Sequence, residues 1–116
     1  MLKSRVVITG IGVISPIGIG RESFWSASLE GRSGAVRLDT PWVRETGLAT
    51  QIACPVRDFD PVKAGIPHRV VHLMDRTTLF ALAAAHEALA DAGFTLTPDP
   101  EDREGLRVGD VETPAG

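Results

Sequence analysis

The run Arg5-Val6-Val7-Ile8-Thr9-Gly10-Ile11-Gly12-Val13-Ile14-Ser15-Pro16-Ile17-Gly18 constrains the fold more than any other stretch of the chain. Residues 5–9 contain a β-branched run, Val6-Val7-Ile8-Thr9, with no polar residue until Thr9, and this continuous apolarity without alternation is the pattern of a central strand covered on both faces. Gly10 and Gly12 then stand where the chain turns sharply or lets another backbone come close. A strand running into glycines invites a dinucleotide-binding reading, in which a G-x-G-x-x-G backbone and a helix N-terminus meet a pyrophosphate. Ser15 occupies the third glycine position here, and Pro16 follows it at once. The next helix-forming residues start near Arg21, too late to aim a helix dipole at a phosphate held by Gly10 or Gly12. A T-G-x-x-x-G-x-G pattern fails as well, because Ile14 takes a glycine position. Gly10 and Gly12 therefore read as packing positions, and no cofactor is expected.

Downstream, residues 21–30 form a predicted helix of about three turns. Trp25 and Leu29 lie four apart and are expected to face the core with Phe24 alongside, and Gly31 closes the helix. Residues 32–48 read as a surface excursion that Trp42 and Val43 tuck down. A strand is expected over 50–53, ended by Pro55, and a turn region from Pro61 to Pro67. The strongest helix runs over 75–92. Leu79, Leu82 or Ala83, His86 and Leu89 or Ala90 recur there at helical spacing, and Gly93 ends it. Residues 81–85 are nearly all small, which permits close approach to another helix or a sheet. A polar, proline-punctuated loop over 95–104 and the start of a strand at Leu106-Arg107-Val108 follow. This order implies an α/β layered fold with at least partly parallel strands, too few to cover both faces of their sheet.

The 116 residues suffice for one modest core. A net charge of -3 without a basic stripe gives no hint of a nucleic-acid partner. No apolar run approaches the ~20 residues of a membrane span, and the N-terminus shows no signal-peptide pattern, so a cytoplasmic location is expected. The single cysteine, Cys54, follows an apolar strand rather than opening a helix, so it reads as a small hydrophobe and not a nucleophile. His68 and His72 are spaced i, i+4 but lack a third ligand nearby, and no metal site is expected. His86 falls within the Ala-rich face and reads as a core or interface histidine. Asp75 is placed to cap the long helix. Arg69, His72 and Arg76 read as a small basic surface around its start.

Six segments, taken in order, resemble the N-terminal part of the β-ketoacyl-[acyl-carrier-protein] synthases, the condensing enzymes of fatty-acid and polyketide synthesis. They are residues 5–12 with Ser15-Pro16-Ile17-Gly18; Trp25 with Leu29-Glu30-Gly31-Arg32-Ser33-Gly34; Ala53 with Asp58-Phe59-Asp60; Met74-Asp75-Arg76; Ala83-Ala84-Ala85-His86-Glu87-Ala88-Leu89-Ala90-Asp91-Ala92-Gly93; and Leu106-Arg107-Val108-Gly109. The resemblance implies a thiolase-like, layered α-β-α-β-α fold, incomplete in this chain, with a partial synthase domain over residues 1–109 and a divergent tail over 110–116.

The resemblance also implies a reaction: an acyl thioester condenses with malonyl-acyl-carrier protein, with loss of carbon dioxide. In the family a cysteine thiolate takes the acyl group and two histidines assist decarboxylation, a division of labour that suits a thiol of lowered pKa and imidazole donors. The T-A-C-x-S-type, H-G-T-x-T-type and G-H-x-x-G-A-A-G-type motifs that carry those groups do not occur in these residues. No catalytic residue is therefore assigned, and these residues alone are expected to be inactive. Related synthases hold their acidic acyl-carrier protein with basic residues just before the Met-Asp pair. Here that stretch is His68-Arg69-Val70-Val71-His72-Leu73, which assigns docking to Arg69 and His72. It is less basic than usual, histidine carrying little charge at neutral pH. A homodimer, or a heterodimer with a synthase subunit, is the implied assembly. The rival reading is a non-catalytic, chain-length-factor-like partner of a complete synthase.

Overall fold

The computed structural model describes residues 3–94. The strand expected at 106–108, the loop over 95–104 and the tail over 110–116 lie outside the described residues. The chain forms two compact units, one from Val13–Asp60 and the other from the residues up to Gly12 together with those from Pro61 onward.

In the Val13–Asp60 unit, β1 (Ile14–Ser15) and β2 (Gly18–Ile19) make a tight antiparallel hairpin, with Ile14 opposite Ile19 and Ser15 opposite Gly18. Ser15 locks the turn from both sides, its hydroxyl accepting from Gly18 N at 3.1 Å and donating to Gly18 O at 2.8 Å. Pro16 and Ile17 form the turn itself, so the stretch after Gly12 is an ordered hairpin. Gly20, at φ 89°, then redirects the chain into α1 (Arg21–Leu29). The end of α1 is closed by Arg32 N donating to Ala27 O and Gly31 N to Ser28 O, with Gly31 at φ 66°. These paired bonds are a Schellman ending, which needs the left-handed residue that glycine supplies.

The buried side of α1 differs from the one expected. Ala27 is its buried residue, while Trp25 and Leu29 stand 62% and 71% exposed. The cause is the closeness of the hairpin. A Cβ on Gly18 would overlap the main chain of Ser23 and Phe24, so the hairpin lies directly on the helix backbone there, and the half-buried Phe24 and buried Ala27 are on the side turned away from water. Trp25 and Leu29 share the stripe predicted from their spacing, but it points to water.

Farther on, β3 (Val36–Arg37) pairs antiparallel with β4 (Ile52–Ala53), Val36 opposite Ala53 and Arg37 opposite Ile52. The expected strand over 50–53 is thus two residues long, extended in effect by Leu38 N donating to Gln51 O at 2.7 Å. Between them, α2 (Pro41–Glu45) opens with proline at its first position, where no intrahelical N–H is needed. Val43 is buried as expected, whereas Trp42 remains largely exposed.

In the other unit, α3 (His68–Val71) precedes α4 (Arg76–Asp91). Asp75 caps α4, its Oδ1 accepting from Thr78 N at 2.7 Å. Gly93, at φ 86°, ends it through a second Schellman pair, Phe94 N to Leu89 O and Gly93 N to Ala90 O. Leu79 and Ala83 are the buried positions of α4, and Ile66 joins them in the core of this unit.

The predicted central strand at 5–9 is corrected. Among the described residues no strand pairs with it, and Val6 and Ile8 are 94% and 83% exposed. A continuous apolar run specifies cover on two faces, and the described residues do not supply it.

Candidate functional site

The glycine segment and α4 define the geometry of the second unit. A Cβ on Gly12 would overlap the Ala84 carbonyl, and one on Gly10 would meet the Ala88 carbonyl and lie 2.8 Å from Ala92 N. The segment therefore runs antiparallel to α4, main chain on main chain, and the alanines make that approach possible. Asp91 fixes the contact with a directional bond, its Oδ2 accepting from Ile11 N at 3.0 Å. Gly10 and Gly12 are packing residues, as their spacing implied. Sequence reasoning missed Asp91, although an acidic residue two before the helix-ending glycine was a usable signal.

The candidate docking residues stand just before α4. Arg69 is on α3 and exposed. His72, one turn further, is the exposed C-cap of the same short helix. Val70 and Val71, between them, are half-buried and seat the turn. Leu73 follows with 73% of its surface in water, an apolar residue beside basic ones that sequence reasoning gave no role. Arg76, the first residue of α4, lies with its guanidinium 4.9 Å from the Phe80 ring centroid, a cation–π contact that constrains where its charge sits. The Asp75 carboxyl beside it is held below the ordinary carboxylate range, first by the Thr78 main-chain N–H and then by the Thr78 side chain. Asp75 thus acts as a helix cap.

Cys54 is exposed and follows β4 directly. Its solvent exposure differs from the partly or fully buried position expected of a small hydrophobe, because β4 is short and lies at the edge of a two-stranded sheet. Among the described residues no group of three His, Cys, Asp or Glu is placed to hold a metal ion. No described helix is long and apolar enough to cross a membrane.

Together these elements are a piece of an alternating β–α, thiolase-like fold. The model of the beta-ketoacyl synthase N-terminal domain matches residues 3–111, and the chain belongs to that family. It is 37% identical over 109 residues to 3-oxoacyl-[acyl-carrier-protein] synthase 2 of Vibrio harveyi, covering 94% of this chain and 26% of that protein. It is 40% identical over 105 residues to the tetracenomycin polyketide synthase ketoacyl synthase beta subunit of Streptomyces glaucescens, covering 89% of this chain and 24% of that protein. Among solved structures it is similar to the ishigamide ketosynthase/chain length factor, with a TM-score of 0.63 and 41% identity over 77% of this chain and 21% of that one. The chain spans about a quarter of the length of the curated relatives it matches.

Proposed function

We propose that these residues serve a condensing enzyme as a non-catalytic component, associating with a ketoacyl synthase subunit and contributing to recognition of its acyl-carrier protein. The observation that carries this reading is the apolar run Val6-Val7-Ile8, which stands in water among the described residues. Exposed apolar runs of this kind mark protein-contact surfaces, and family membership makes a synthase subunit a fitting partner. The chemistry served is decarboxylative condensation of an acyl thioester with malonyl-acyl-carrier protein. The thiol and imidazole groups for it are not among these residues, in which their motifs do not occur. Arg69 contributes the docking charge toward the acidic carrier, and His72 stands beside it on the same exposed surface.

The test mixes the purified chain with a complete ketoacyl synthase and follows sedimentation and condensation of malonyl-acyl-carrier protein. The chain alone is expected to be inactive, and the mixture to sediment as a complex. Condensation by the isolated chain, or separate sedimentation of the two proteins at micromolar concentration, sinks the reading. For docking, Arg69→Glu is expected to weaken carrier binding, and unchanged affinity removes Arg69 from the site.

A further inference from the structure

We infer that His86 is a positioning residue for the segment bearing Arg69 and His72, an inference that rests on the docking role proposed above. The turn preceding that segment is tightly closed. Ile66 N donates to Pro61 O and Gly65 N to Val62 O, each at 3.0 Å, and Gly65 sits at φ 88°. Ile66 is fully buried and holds the turn by apolar contact. Pro67 comes next at φ -59° and caps α3, so a single stiff residue separates the buried anchor from the helix that carries Arg69.

Burial of one isoleucine fixes a position but not an orientation, since apolar contact is non-directional. The orienting contact is His86, half-buried on α4. Its Nδ1 lies 3.4 Å from the Ala64 carbonyl and 3.5 Å from the point a Gly65 Cβ would occupy. The bond requires a proton on Nδ1, which both the Nδ1–H tautomer and the imidazolium supply. His86 thus holds the turn on the carbonyl side while Ile66 holds its other end. Between them they set the direction in which α3 leaves Pro67. The contact also makes sense of an imidazole on an otherwise small and apolar helix face.

Two substitutions of similar shape isolate this role. His86→Asn keeps an N–H donor near the Nδ1 position, and His86→Leu removes it. Binding of an acidic acyl-carrier protein is measured by titration calorimetry alongside amide exchange of residues 65–72 and of α4. His86→Leu is expected to weaken binding about threefold, within what loss of one neutral hydrogen bond does to an equilibrium. Exchange should quicken at residues 65–72 while the amides of Leu79 and Ala83 stay protected, and His86→Asn should restore both. If Arg69→Glu weakens binding but His86→Leu does not, the positioning role is wrong and docking stands. If neither weakens it, both readings fall. Faster exchange throughout α4, without rescue by asparagine, would reduce His86 to a packing residue and overturn the inference.

Discussion

Gly12 rests on the main chain of Ala84, close enough that a single added methyl group would overlap the Ala84 carbonyl oxygen. Neither side has a flexible group that can yield, since the obstacle is helix backbone. Gly12→Ala is therefore expected to cost about 3 kcal/mol, the upper end of overpacking penalties. Gly31 offers the contrast: it has open space around it but a φ of 66°. Gly31→Ala is expected to cost about 1 kcal/mol, from backbone conformation alone. Urea unfolding of the two variants measures the difference. Equal losses would mean that the Gly12 contact relaxes.

Asp91 reaches back to Ile11 N across 80 residues of chain. Asp91→Ala leaves that N–H without its carboxylate and is expected to destabilise by about 1 kcal/mol. Asp91→Asn, which keeps an oxygen acceptor, should recover most of the loss. The Ile11 amide should exchange faster in the alanine variant than in the asparagine one.

Acid should weaken the start of α4 through Asp75. Its folded pKa lies below the unfolded reference of 3.8, so the carboxylate stabilises the folded chain above that value. The contribution fades as pH falls through the lower, folded pKa. The melting advantage of the native chain over Asp75→Ala should therefore be constant from neutral pH to about pH 5 and shrink below it. An advantage that grows on acidification would contradict the capping geometry.

Ile8 and Trp25 separate association from folding. Both are exposed, so Ile8→Asp and Trp25→Ser should each shift the stability of the isolated chain by less than about 0.5 kcal/mol. In the proposed complex with a synthase subunit, Ile8→Asp should abolish co-sedimentation, because an unpaired carboxylate would be taken out of water. Retained co-sedimentation would remove the apolar run from the interface.

How much of this was legible in the sequence depends on whether the cause was local. Both helix ends at Gly31 and Gly93, the Asp75 cap and the packing role of Gly10 and Gly12 follow from neighbours a few residues away or from the steric needs of glycine. The exposed side of α1 was not legible. Spacing locates an apolar stripe at Trp25 and Leu29, but the choice of buried side was made by Gly18, through a backbone approach that no periodicity encodes. The strand at 5–9 failed for another reason: its pattern specifies neighbours that the described residues do not include. At the candidate docking site the basic residues were legible as residue types. The exposure of Leu73 and the reach of His86 to Ala64 depend on tertiary placement, 22 residues separating the latter pair.

Gly20 joins two bonding patterns at one residue. Its N–H donates to Val13 O at 2.8 Å to extend the hairpin, and its carbonyl accepts from Phe24 N at 3.0 Å to start α1. Hairpin and helix therefore share a nucleus, and neither has to bring distant parts of the chain together. Elements of this size form within microseconds, whereas the Ile11–Asp91 contact must first close a long loop at an entropic cost that grows with its length. The expected consequence is an order of events, in which the region around Gly20 organises before the glycine segment finds α4.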